Sequence, residues 1–414
     1  MIKDKVFYGW VVTIAGLTIS TISLGVRHSF GVFLKPIEGD FGLTRGATSS
    51  IFSVYMLLCC VVTVLGGWAL DRYGPRRAGF VMGSFTGLSL LLTSQTDSAW
   101  QLFISYGLLL SLGTGAIFTV VNSTASRWFD KKRGFVLGIT TSGGGLGAIV
   151  MAPFATYLIS RFDWRAAFIV MGLIAWLIIA SMSLLLRKDP GDMGLLPDGV
   201  KSEAAQTSLQ NKESKARITG PSLLQASRTS QFWLLGFVWL SLSLNVHLVF
   251  VHAVPYAVDM GFSPMEAAVI LSLIGGAAIG GRLVVGWVSD TIGRKAPAVA
   301  CALFQVGTLL WLMWARDLWM LYAFAIVFGL LWGGLGTMLT ALVGDVFGTQ
   351  SIGTIMGTLI VGWAFGAAIG PAIGGYIFDT SGSYFTAFAT GAVTMLMATL
   401  LVALVRGELH TERN

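Results

Sequence analysis

Arg282 stands inside the apolar run Ala277-Ala278-Ile279-Gly280-Gly281-Arg282-Leu283-Val284-Val285. A guanidinium at the centre of a lipid-embedded helix costs roughly 2.5–3.5 kcal/mol on insertion scales, so it must face protein or a water-filled cavity. Its planar fork of donors can grip a carboxylate with two hydrogen bonds. Glu266 and Asp345 lie near the ends of their apolar segments, and no acid occupies the middle of the seventh, eighth, tenth or eleventh. The chemistry this predicts is capture of a small organic anion.

His28, His247 and His252 are three of only four histidines, and all three fall in apolar segments. Imidazole changes charge near neutral pH, so each is a candidate to carry a coupled proton. The plainer reading is a hydrogen-bonded packing residue. His28 and His252 are also candidate substrate contacts. Asn122 in the fourth segment could hydrogen-bond a substrate or join helices. Trp332 in the tenth could wall a cavity or pack. Arg27, adjacent to His28, points about 100° away on a helix.

The sequence contains no Gly-rich phosphate loop, no nucleophile–base set and no metal-ligand spacing. No enzyme activity and no cofactor is expected, and a concentration gradient must drive any transport. Cys59, Cys60 and Cys301 sit mid-segment and read as small apolar residues.

The elements that must position these residues are membrane helices. Of 414 residues, 55% are hydrophobic and 11% charged, against about 25% charged in a soluble domain. Twelve apolar runs recur, roughly 6–34, 46–70, 78–96, 100–126, 134–160, 165–187, 230–257, 264–288, 296–315, 318–344, 351–377 and 382–406. Each can cross a ~30 Å hydrocarbon core as a helix. The first is too long for a cleaved signal peptide, and no small-residue cleavage site follows it.

The net charge of +7 is topology rather than a nucleic-acid footprint. With the N-terminus in the cytoplasm, 20 of the 27 Lys and Arg fall on that side. Lys35, Arg45, Arg161, Arg165 and Arg316 fall on the other, and Arg27 and Arg282 lie within helices. The bias places both termini in the cytoplasm of a cell whose inner membrane the chain spans, in contact with membrane lipid. A monomer suffices for such a chain.

Residues 34–77 align without a gap on 253–296, at a constant offset of 219. Pro36 meets Pro255, Asp40 meets Asp259, Gly42 meets Gly261, and Gly67, Asp71 and Gly74 meet Gly286, Asp290 and Gly293. The same offset carries Gly134, Gly138, Gly143, Gly147 and Tyr157 onto Gly353, Gly357, Gly362, Gly366 and Tyr376, and His28 onto His247. An even helix count per half makes the repeats parallel. The expected architecture is an all-α polytopic membrane protein of twelve transmembrane helices in two pseudo-symmetric six-helix halves, 1–187 and 229–414. The polar stretch 188–228, with Pro190, Gly191, Pro197 and Gly199, reads as a cytoplasmic linker.

Asp71 and Asp290 lie where the second and eighth helices meet the cytoplasmic surface, followed by Arg72, Arg76 and Arg77 in one half and Arg294 and Lys295 in the other. With Gly67, Gly74, Gly286 and Gly293 they read either as loop anchors or as a conformational latch made in one state and broken in the other. Glycines at 143, 144, 145 and 147 and at 362, 366 and 370 form small-residue faces for close helix approach. Pro153 and Pro371 are expected to kink the fifth and eleventh helices.

The pattern G-x-x-x-D-R-x-G-x-R at 67–76, its echo at 286–295, the twelve runs and the central linker resemble the major facilitator superfamily over the whole chain. Within it, Phe7-Tyr8-Gly9-Trp10, Phe33-Leu34-Lys35-Pro36 and Trp128-Phe129-Asp130-Lys131-Lys132-Arg133-Gly134 are similar to signatures of the monocarboxylate transporter family and its bacterial oxalate/formate-type relatives. The resemblance implies a cavity between halves, rocker-type alternating access, and carboxylate substrates moved with a proton or exchanged for another anion. It places the substrate-binding arginine at Arg282. The chain departs from the family in three places. His28 stands where animal members have a lysine, Ala278 where they have an aspartate, and no Lys or Arg lies between 353 and 377 to supply the second cation of oxalate exchangers. The expected substrate is a monocarboxylate such as lactate or pyruvate, or an oxalate-like anion. The alternative is a larger, less charged nutrient, vitamin- or flavin-like, or export of organic compounds. A sensor would need a large signalling domain, and the sequence contains none.

Overall fold

The computed structural model describes residues 7–199, 221–348 and 352–405. Among the described residues, eleven helices are long and apolar enough to span a membrane. One of them, Arg45–Thr93, has 49 residues and so extends about 74 Å at 1.5 Å per residue, more than two core thicknesses. It is broken at Gly74, whose φ of 79° and ψ of 165° are non-helical, with Pro75 next in line. Twelve crossings result. The expected polar gap at 71–77 is therefore helical on both sides of one glycine.

The helices are α1 (Tyr8–Phe41), α2 (45–73), α3 (75–93), α4 (Ala99–Trp128), α5 (Arg133–Arg161), α6 (Trp164–Leu185), α7 (Ser230–Asp259), α8 (Pro264–Ile292), α9 (Lys295–Trp314), α10 (Leu318–Phe347), α11 (Ile352–Ser381) and α12 (Phe385–Leu404). Two breaks are invisible in the sequence. α1 is interrupted at Ser29, between Tyr8–His28 and Phe30–Phe41, so His28 ends one segment. α4 widens into a π-helix over Phe103–Leu109 and breaks again at Gly115–Ala116. There Thr63 Oγ1 donates to the Gly115 carbonyl at 2.8 Å, replacing a bond the break removes.

The repeat is written into the backbone. Gly42 and Gly261 have φ of 62° and 95°, and Gly74 and Gly293 have 79° and 82°. All four are left-handed, a conformation that costs any residue with a Cβ. Helix contacts repeat too. A Cβ on Gly147 would lie 2.4 Å from the Thr21 carbonyl oxygen, and one on Gly366 would lie 2.1 Å from that of Leu240. Both the glycines and the residues they face differ by 219.

The chain packs as two compact units. Among the described residues, the first comprises 7–27, 58–147 and 162–199. In it, Gly79, Gly83 and Gly87 of α3 face Ser183, Ile179 and Trp176 of α6, a small-residue ladder at four-residue spacing. The second comprises, of the described residues, 28–57, 148–161, 221–348 and 352–405. Its main pairs are α7 with α11, α8 with α10, and α9 with α12. It also contains the far ends of α1, α2 and α5. Gly31 of α1 packs against the backbone of α7, with a Cβ there only 2.5 Å from the Phe250 carbonyl oxygen. Residues 200–220 of the expected linker lie outside the described residues.

Candidate functional site

In the second unit, the break at Ser29 sets His28 against two rings. Its imidazole stacks on Phe250 of α7 at 4.4 Å and 26°. Trp332 of α10 meets His28 edge-on at 6.4 Å and Phe250 at 5.4 Å. All three residues are buried. His28 and Trp332, both sequence candidates, thus share one cluster. Phe250 was missed, although it lies three residues after His247 and so shares a helix face with it.

Arg282 is half-buried on α8. Its height is fixed by the α8–α10 contact. A Cβ on Gly281 would sit 2.0 Å from the Leu330 carbonyl oxygen, and one on Gly333 would sit 2.1 Å from that of Ala278. With backbones in contact on both flanks, Arg282 lies level with Leu330–Gly333 and therefore with Trp332. Glycines 281 and 333 make this approach possible.

His247 is buried, and its Nδ1 lies 2.9 Å from the carbonyl oxygen of Ser243 on its own helix. Phe52 flanks the ring at 5.9 Å and Trp363 at 5.5 Å. His252 is entirely buried. Its Nδ1 lies 2.9 Å from the Tyr384 hydroxyl and its Nε2 2.8 Å from the Pro371 carbonyl oxygen. A carbonyl only accepts, so Nε2 carries the proton and Nδ1 accepts from Tyr384. Burial pushes the Tyr384 phenol above its ordinary range, which keeps that hydroxyl a donor. In this conformation His252 is a satisfied interior residue with no face toward a solute. His252→Phe leaves the Tyr384 hydroxyl without its acceptor and is expected to cost about 1–3 kcal/mol. Thermal unfolding in detergent measures that loss, and the pH profile of uptake by folded molecules is expected to stay unchanged. A flattened pH profile at unchanged stability would instead make His252 a proton carrier.

Asn122 belongs to the first unit. Its Oδ1 accepts from Thr140 Oγ1 at 2.7 Å, joining α4 to α5. It does not share a unit with Arg282, His28 and Trp332.

The latch candidates divide by half. Asp71 is exposed and pairs with Arg127 of α4 at 3.4 Å, and Lys188 Nζ donates to its carbonyl at 3.4 Å. Arg127 also reaches Asp189 at 3.8 Å. Arg72 lies over the ring of its neighbour Tyr73, and Arg76 is exposed. A Cβ on Gly67 would meet Thr119 at 3.9 Å, and nothing lies within 4 Å of a Cβ on Gly286. In the other half Arg294 pairs with Asp345 of α10 and donates to the Ala341 carbonyl. Asp290 falls in the last turn of α8, and its side chain lies outside the described residues. The pairs use different positions of the repeat: Asp71, at the end of α2, meets Arg127 of α4, whereas Arg294, just before α9, meets Asp345 of α10. Exposed pairs of this kind contribute about 0–1 kcal/mol to stability, so they suit contacts that are made and broken.

A second polar cluster, unforeseen in the sequence, surrounds Arg45. The guanidinium is only 7% exposed and takes both oxygens of Glu38 at 3.2 Å. It also pairs with Asp259 and donates to the Tyr384 hydroxyl at 3.1 Å. The face of the Phe378 ring lies 4.1 Å beneath it.

The comparisons with known proteins agree with this architecture. The Major Facilitator Superfamily model matches residues 13–359 and again 283–414. Monocarboxylate transporter 12 of Xenopus laevis is 23% identical over 96% of this chain and 89% of its own. Monocarboxylate transporter 13 of Bos taurus is 26% identical over 94% and 87%. The oxalate:formate antiporter of Oxalobacter formigenes is 26% identical over 96% and 91%. Among solved structures, a bacterial homologue of the human lysosomal transporter Spinster, inward-facing and unoccupied, superposes with a TM-score of 0.71. It is 16% identical, with 97% of this chain and 96% of that one covered. Twelve apolar helices, a duplicated backbone and a family match across the chain give one conclusion: this protein belongs to the Major Facilitator Superfamily and is a membrane-spanning secondary transporter, not an enzyme.

Proposed function

We propose that the chain moves a small organic anion across the cytoplasmic membrane by alternating access, coupled to a proton or a counter-anion. The observation that carries the reading is Arg282, held on an apolar helix at the height of the Trp332–Phe250–His28 cluster. A guanidinium at the height of aromatic rings suits a carboxylate with a short organic body, since such pockets combine apolar lining with few placed polar groups. The relatives named as monocarboxylate transporters and as an oxalate:formate antiporter support the same class. Arg282 is the anchor, His28 and Trp332 line the site, and His28 or His247 carries the coupled proton. Six-helix halves, 1–187 and 229–414, are the moving bodies, with both termini in the cytoplasm and the monomer as the working unit.

A second reading, a larger and less charged solute, is favoured by Ala278 at the position of the family's acid and by the absence of Lys and Arg from 353–377. Thermal stabilisation of the purified protein separates the two. A ligand at 100 times its Kd stabilises the folded state by about 2.7 kcal/mol. Stabilisation by lactate, pyruvate or oxalate is the expected result, at mildly acidic or neutral pH. Silence from every carboxylate, with a response to a flavin- or vitamin-like compound, overturns the organic-anion reading and leaves the transporter.

A further inference from the structure

The Arg45 cluster joins segments that a transporter must part. Glu38 lies in the last turn of α1 and Arg45 opens α2. Asp259 ends α7, Asp379 and Phe378 lie near the end of α11, and Tyr384 precedes α12. Asp379 reaches across to the start of α2, where its two carboxylate oxygens accept the backbone N–H groups of Arg45 and Gly46, each at 2.8 Å. A carboxylate at that position satisfies orphan donors and meets the positive end of the helix. Lys35 of α1 pairs with the second oxygen of Asp259. The approach is backbone to backbone, because a Cβ on Gly375 would lie 2.7 Å from the Gly46 α-carbon.

The partners fall into two sets. Glu38 is seven residues from Arg45 and holds it through both oxygens, so this pair stays together whatever the second half does. Asp259, Asp379 and Tyr384 come from the second half and are the contacts that separation would break. Behind Tyr384 stands His252, which ties the hydroxyl to the Pro371 carbonyl in mid-α11. The chain of donors therefore runs from Arg45 through Tyr384 and His252 into the interior of α11.

We propose that this cluster is the closed outer gate, with Arg45 as its hub, Glu38 as the partner that holds the guanidinium ready, and Tyr384 and His252 as positioning residues that report the gate to α11. It rests on the orientation given under the proposed function, with the face bearing Glu38 and Asp259 outside. When the gate opens, residues 28–57 leave the second-half helices, and Asp259 and Asp379 find water in place of Arg45.

Ser53, buried two turns below Arg45 on α2, reports the opening without any substrate. Cys59, Cys60 and Cys301 are first replaced by serine, and Ser53→Cys is then labelled in intact cells with a membrane-impermeant methanethiosulfonate. Arg45→Ala is expected to raise the labelling rate about tenfold or more, because the open state gains population when the closed one loses its contacts. The pair Asp259→Asn with Asp379→Asn keeps the shapes and removes the charges. It is expected to act in the same direction and guards against misfolding of Arg45→Ala. Tyr384→Phe is expected to give a smaller rise. Labelling unchanged in both Arg45→Ala and the double Asn variant overturns the gate. Gly39→Cys, in open space, is the control for orientation. Should it label only in inverted vesicles, the orientation fails, and the Ser53 comparison is read from that face with the same two outcomes.

Discussion

Arg282→Ala is expected to abolish uptake while the protein still inserts. Removing one side of a hydrogen-bonded charge pair costs about 2–5 kcal/mol, which is roughly 30-fold to several-thousand-fold in affinity. Insertion itself becomes easier, because an apolar residue replaces a charge in α8. Arg282→Lys keeps the charge but loses the planar fork, so an intermediate loss is expected. The measurement is uptake of whichever carboxylate stabilises the purified protein, normalised to the amount in the membrane. Full uptake by Arg282→Ala at normal abundance would remove the residue from the site and leave the fold untouched.

Gly366→Ala is expected to destabilise the second unit severely. The new methyl would lie 2.1 Å from the Leu240 carbonyl oxygen and 2.9 Å from the Leu244 nitrogen. Both are backbone atoms of α7, so no side chain can swing away, and the helices themselves must part. Overpacking of this kind costs typically 1–3 kcal/mol and occasionally more. Gly357→Ala, on the same helix, is the built-in comparison, since nothing lies within 4 Å of a Cβ there. Alanine is favoured over glycine in a helix by about 1 kcal/mol, so this second variant should be neutral or slightly more stable. Thermal unfolding of the two proteins in detergent is expected to move in opposite directions. A loss of equal size in both would mean that general helix flexibility, rather than contact with α7, explains the glycine.

What could be read in the chain alone follows from range. The offset of 219 places Gly42 with Gly261 and Gly74 with Gly293, and each pair shares one backbone conformation. Periodicity and turn residues are local signals, so the spans and the turn after α2 were legible. The small-residue faces of α5 and α11 were legible for the same reason. The break in α4 was not, because Leu112-Gly113-Thr114-Gly115-Ala116 has no proline and reads as ordinary helix. What stabilises the break is Thr63, 52 residues upstream.

The sites divide in the same way. Arg282 stood out because a charge in an apolar run is anomalous wherever it occurs. Arg45 drew no attention because a charge in a loop is ordinary. Its significance comes from Asp259 and Asp379, 214 and 334 residues away. His252 looked chemically promising for its residue type, and its character was decided by Tyr384, 132 residues distant. Distance along the chain, not subtlety of chemistry, set the limit.

The four left-handed glycines carry a record of descent. A duplicated gene drifts freely at positions where one side chain can stand in for another, and the cytoplasmic ion pairs now use different positions in the two halves, Asp71 with Arg127 in one and Arg294 with Asp345 in the other. Turn handedness cannot drift in that way, because no gradual series of L-residues leads away from a positive φ without strain at every step. Chemistry at the membrane surface has therefore diverged between the two copies while the hinges of the backbone have been kept. A primordial six-helix protein, paired with a second copy of itself, would already have possessed the bends at 42 and 74. The difference in which positions carry the surface ion pairs came afterwards.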